Sequence, residues 1–115
     1  MTEYVIPMMG ISLDDYQHLA RETAVYPSET ALQYLTLGLS SEAGEVAGKV
    51  AKYYRKDTDD FPIEDVILEL GDVLWFIAEL SSLLGVSLTE VAEENLEKLK
   101  ARQNAGTLKG MGDSR

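Results

Sequence analysis

The sequence predicts an all-α protein, a four-helix bundle. Three observations carry that reading: apolar residues recur with helical periodicity through most of the chain, no stretch sustains strand alternation, and proline, glycine or polar turns separate segments of helical length. The first helix is expected from about Leu13 to Ala24, with Ser12 as N-cap and Asp14 and Asp15 at the positive end of its dipole. Tyr26-Pro27-Ser28 breaks it. A long second helix is expected from roughly Glu29 to Arg55, ending in the polar turn Lys56-Asp57-Thr58-Asp59-Asp60. Pro62 suits the first turn of a third helix, which continues to about Leu84 and stops at Gly85. Ser87 and Glu90 make a capping-box pattern that opens a fourth, through about Arg102. The tail from Asn104 to Arg115, rich in glycine and polar residues, is expected to be flexible. Residues 1–115 read as a single domain with its core at about 13–103 and no internal repeats.

Charge and composition narrow the function. With 115 residues and a formal charge of −10, the chain offers no broad basic field for nucleic acid or an anionic membrane surface. An anionic substrate would need cations to mask the repulsion. Cysteine is absent, which excludes disulfides, a zinc-thiolate site and a cysteine nucleophile. Met1 to Gly10 lacks the basic start and long apolar core of a signal peptide, and no later run approaches a membrane span, so a cytoplasmic location is expected.

Two acidic phrases stand out: Glu42-Ala43-Gly44-Glu45 and Glu69-Leu70-Gly71-Asp72. Each places two carboxylates three residues apart, on one helix face. Such pairs are common on solvated helices, but their wheel positions are not those of a solvated face. On the second helix Leu32, Leu35, Leu39, Val46, Val50 and Tyr53 form the apolar stripe; Glu42 falls beside it and Glu45 at its edge. On the third, Val66, Leu70, Val73, Ile77, Leu80 and Leu84 form the stripe, Phe76 and Leu83 widen it, and Glu69 projects between Phe76 and Leu80. A carboxylate aimed into an apolar sector is costly unless a cation or hydrogen bonds compensate it. Glu42, Glu45, Glu69 and Asp72 are therefore expected to share a metal cluster. An all-oxygen ligand set without histidine or cysteine suits Mg²⁺ or Mn²⁺ and makes zinc a poor fit. Glycines 38, 44, 48 and 71 each cost about 1 kcal/mol inside a helix, and close helix packing is the expected return.

The fourth helix supplies the opposite charge. Asn95 and Arg102 point into the apolar sector of Leu88, Val91, Ala92 and Leu99, with Lys98 at its flank, a combination suited to phosphate and sugar oxygens. Trp75, three residues after Asp72, is placed to stack on a nucleobase or to sit at a subunit interface. Tyr16, Gln17 and Thr23 gather on one side of the first helix, as a base pocket or as packing.

Together these residues resemble the MazG-like all-α nucleoside triphosphate pyrophosphohydrolases. The resemblance covers about Tyr16 to Gly106 and is strongest in Leu37–Val46, Glu69–Trp75 and Asn95–Arg102, where an E-x-x-E phrase is followed by E-x-x-D. Ser40-Ser41 departs from the alanine or glycine expected before Glu42. The resemblance implies cleavage between the α- and β-phosphates of a nucleoside triphosphate, with the acids holding two or three Mg²⁺ ions. It also implies Lys98 and Arg102 as a phosphate clamp, Asn95 at the sugar or phosphate, and Glu42 or Glu45 orienting the attacking water. The short length is like that of bacterial and phage-borne members, which for a phage protein means the host cytoplasm. Stacking over Trp75 favours a purine, and phage-borne members point to dGTP or GTP. Family members form dimers or tetramers, and the third helix, apolar around more than half its circumference, independently predicts a homodimer or homotetramer. The alternative is a non-catalytic, metal-stabilised helical interaction module. Asn95, Lys98 and Arg102 favour the enzyme, since a scaffold has no need of phosphate-binding cations.

Overall fold

The computed structural model describes residues 9–106, and these fold as four α-helices joined by short connections: α1 Leu13–Arg21, α2 Ala31–Tyr54, α3 Ile63–Leu83 and α4 Leu88–Asn104, with a 3₁₀ turn at Ser28–Thr30 leading into α2. No strand occurs among the described residues. Residues 107–115, most of the predicted flexible tail, lie outside them.

Local chemistry explains the boundaries. Ser12 and Asp15 close a full capping box on α1, and Ser87 and Glu90 do the same on α4. Helix α1 ends one turn earlier than expected. The Thr23 hydroxyl donates to the Ala20 carbonyl at 2.8 Å, and the N–H groups of Glu22, Thr23 and Ala24 bond three residues back, not four. Pro62 is the N-cap of α3 instead of its first helical residue. Gly85, at φ +76°, ends α3 in a Schellman motif: its N–H bonds Ser82 O and that of Val86 bonds Ser81 O. Helix α2 ends in the same motif through Lys56 and Asp57, but there the left-handed residue is Lys56, at φ 65°.

Helices α2 and α3 form the principal antiparallel pair, α1 lies across α3, and α4 rests against α1 and α3. Helices α2 and α3 pack tightly at Gly38, where an added Cβ would lie 2.2 Å from Cε1 of the buried Phe76 ring. Close packing was expected at four helical glycines, and Gly38 alone meets that expectation. A Cβ at Gly44, Gly48 or Gly71 would meet nothing within 4 Å. A second small core joins Ala20, Ala78 and Leu88, packed by Tyr16, Leu74, Trp75 and Ile77.

Much of the predicted apolar stripe stays uncovered. Leu32, Leu70, Leu83 and Leu84 are exposed, as are Leu37 at 72% and Leu68 at 69%. The radius of gyration is 17.1 Å, against about 13 Å for a compact domain of this length.

Two substitutions test this account in urea denaturation. Gly38→Ala is expected to lower the midpoint, because overpacking against Phe76 costs about 1–3 kcal/mol and outweighs the helix propensity that alanine gains. Lys56→Gly is expected to raise it by about 1 kcal/mol, by relieving a left-handed conformation that a side chain resists.

Candidate metal centre

The antiparallel pairing sets the site. Glu42 lies one turn after Gly38 on α2, and Asp72 one turn before Phe76 on α3, so the contact at Gly38 brings the two acidic phrases face to face. Glu42, Glu69 and Asp72 each offer a carboxylate oxygen, and these oxygens lie within 4.8 Å of one another. Glu42 and Glu69 are half-buried and Asp72 is exposed.

Burial pushes the Glu42 carboxyl above the ordinary carboxylate range, and the charges of Asp72 and Glu69, a hydrogen bond with Glu69 and the charge of Glu45 push it further. Crowding makes it costly for these carboxyls to be ionised together, and a hard divalent cation on the same oxygens offsets that cost. The donor set fits Mg²⁺ or Mn²⁺: three converging carboxylates from two helices, with no nitrogen or sulfur donor among them. Glu45 stands outside this group of three, exposed on the next turn of α2, yet near enough for its charge to act on Glu42.

The other predicted site residues fall in distinct places. Asn95 and Lys98 are exposed on α4 and line an open groove of about 500 Å³ with Val86, Glu90, Val91 and Glu94. Arg102 is half-buried one turn further along. The Gln17 amide is committed within the protomer: its Nε2 donates to Ser82 Oγ and Val86 O, both at 3.0 Å, and its Oε1 accepts from Leu88 N–H at 2.7 Å. It ties α1 to the α3–α4 turn. Trp75 donates its indole N–H to Thr23 Oγ1 at 2.7 Å, and its ring meets Tyr26 and Phe76 edge-on. Tyr26 also stacks on Tyr34 with centroids 5.2 Å apart.

One feature of α3 escaped the sequence reading. Glu79 is fully buried, and its Oε1 accepts from Arg21 Nη1 at 2.6 Å and from the Tyr26 hydroxyl. The signal was available: Glu79 follows Asp72 by seven residues, so the two share a face to within about 20°, and it sits among apolar residues.

Comparison with known proteins agrees with the geometry. The model of the MazG nucleotide pyrophosphohydrolase domain matches residues 30–107, which contain all of α2, α3 and α4. The Gene 37 protein of Mycobacterium phage L5 is 42% identical over 112 residues, spanning 90% of this chain and 98% of the phage protein. No solved structure matches the chain. An all-α fold with its acidic phrases face to face, the domain match over most of the chain and the phage relative agree, and the protein belongs to the MazG nucleotide pyrophosphohydrolase family.

Proposed function

We propose that this protein is a metal-dependent nucleoside triphosphate pyrophosphohydrolase that converts a (d)NTP to the (d)NMP and pyrophosphate. The observation that carries the reading is the convergence of Glu42, Glu69 and Asp72 from two helices, where their crowding and burial raise the Glu42 pKa. Family membership supplies the reaction class.

Glu42, Glu69 and Asp72, with Glu45 beside them, would hold Mg²⁺ or Mn²⁺. The bound cation supplies neutralisation of the triphosphate and a lowered pKa for a nearby water. Glu42 or Glu45 orients that water and takes its proton. The water oxygen forms a bond to the α-phosphorus as the bond to the α,β-bridging oxygen breaks, and pyrophosphate leaves. Lys98 and Arg102 clamp the phosphates, and Asn95 reaches sugar or phosphate. The substrate we favour is dGTP or GTP, because the rings of Trp75, Tyr26 and Tyr34 offer a stacking surface that a purine covers best. Leu37, Ile67 and Leu68, exposed on α2 and α3, support assembly as a homodimer or homotetramer. Among the described residues no helix is long and apolar enough to cross a membrane.

Chromatography of the products with Mg²⁺ or Mn²⁺ is expected to give monophosphate and pyrophosphate. Diphosphate with orthophosphate would make the protein a phosphatase, and no turnover would leave a metal-stabilised helical module. Asp72→Asn and Glu45→Gln are expected to abolish turnover while circular dichroism stays helical. Lys98→Ala and Arg102→Ala should each lower kcat/KM about tenfold or more, the loss of a charge-assisted hydrogen bond of roughly 1.5–3 kcal/mol; values within twofold would remove the clamp.

The raised Glu42 pKa gives a pH dependence of defined sign. Between the ordinary carboxylate range and the raised value, the folded state holds a proton that the unfolded state has lost, so stability of the metal-free protein falls as pH rises through that window. Thermal melts of Glu42→Gln should lack this contribution. Saturating Mg²⁺ should reverse its sign in the parent, since the cation competes with the proton.

A further inference from the structure

Glu79 is a carboxylate that this chemistry leaves unused. It is 0% exposed, with both its donors, Arg21 and Tyr26, on Oε1, while Oε2 is buried with no hydrogen-bond partner. A buried anionic oxygen without a donor is costly, and its persistence calls for something that completes it.

Its position says what that is. Glu79 lies seven residues beyond Asp72, about 10 Å along the α3 axis and about 20° around it, a span that a nucleoside 5′-phosphate bridges from phosphate to base edge. The Tyr16 hydroxyl lies within reach of both charges: burial first, then Asp72 and Glu79, raise its pKa. Tyr26, whose hydroxyl binds Glu79, has its ring in the lining of an open pocket of about 270 Å³, with Tyr34, Trp75, Thr23, Val25 and Pro27; Glu79 itself lies behind that lining.

Base chemistry then discriminates. Guanine presents N1–H and N2–H₂ side by side, two donors for one carboxylate. Adenine and cytosine set an acceptor nitrogen beside their amino group, and thymine flanks its N–H with two carbonyls; each brings a repelled lone pair to the carboxylate. We propose that Glu79 reads the base of a guanine nucleotide, taking one N–H on Oε2 and the other on Oε1 in place of the Tyr26 hydroxyl. Arg21 keeps its hold, and the Tyr26 ring withdraws to admit the base. Tyr26 lies in the connector between α1 and the 3₁₀ turn, so this movement breaks no helix.

The inference rests on the hydrolase reading for its substrate class, and two measurements keep them apart. The first is kcat/KM for dGTP, dITP, dATP, dCTP and dTTP. The parent should favour dGTP, with dITP, which lacks the N2 amino group, about tenfold or more below it. Glu79→Gln should lose that preference while its values for dATP and dCTP stay near the parent's. Equal values for dGTP and dITP in the parent, or a uniform fall across all bases in Glu79→Gln, would overturn the assignment. If the variant does not fold, the parent's dGTP to dITP ratio decides alone. The second is equilibrium binding of dGMP, dIMP and dAMP with Mg²⁺, followed by the fluorescence of Trp75, the chain's single tryptophan. Guanine preference without pyrophosphate release would sink the hydrolase and leave Glu79 as the base reader; equal binding of all three would sink the base reader whatever the turnover.

Discussion

The separation of α2 and α3 at Gly38 governs the rest of the molecule. Phe76 occupies the space a side chain at residue 38 would fill, and a Cβ there would fall 2.2 Å from its ring. One turn away on each helix, in opposite chain directions, stand Glu42 and Asp72. The glycine costs about 1 kcal/mol of helix propensity, and in exchange the helices come close enough for acids on different elements to share one ion. Wider spacing would leave two ordinary acidic faces. The packing defect and the chemical site are one arrangement, a turn apart.

That dependence also explains which parts were legible in the sequence. Capping boxes at Ser12 and Ser87, the stop at Gly85 and the turn after Arg55 are local chemistry, settled within a few residues, and each was readable. The wheel positions of Glu42 and Glu69 set both beside apolar stripes, and their carboxylates do lie together with that of Asp72, because antiparallel neighbours joined by a short turn have few ways to face each other. What was not legible depended on the third dimension. Four helical glycines look alike in sequence, and only the partner helix separates Gly38 from Gly44, Gly48 and Gly71. Gln17 read as a base-pocket or packing residue, and the hydrogen bonds of its amide to Ser82, Val86 and Leu88, partners about seventy positions away, could not be read from the sequence. Glu79 was overlooked because it completes no acidic phrase, although its heptad relation to Asp72 was in plain view.

The acids of α3 meet two environments within about two turns. Glu69 and Asp72 lie where water and ions have access and crowd Glu42, whose pKa is raised first by burial and then by their charges. Glu79 is sealed from water and balanced by an arginine that is itself half in solvent. A carboxylate among carboxylates is frustrated until a cation arrives; a carboxylate against a guanidinium is largely neutralised and keeps what remains for a hydrogen-bond donor. The same side-chain chemistry thus suits a metal at one end of the helix and a neutral polar group at the other. In the proposed complex the helix acts as a ruler between phosphate and base.

In the proposed oligomer, cation and subunit contacts would act on the same pair of helices. Leu37 on α2 and Ile67 and Leu68 on α3 stay exposed in the protomer, while the acids between these helices repel one another. Repulsion pushes α2 from α3, and burying those side chains against a second copy presses on the same hairpin. Any ligand that binds only the assembled form stabilises it by mass action, so in that oligomer cation and partner would each raise the apparent affinity of the other. With a charge of −10 on each chain, cations that reduce this charge would favour that association. In the proposed oligomer, metal binding is therefore a step in assembly as well as in catalysis.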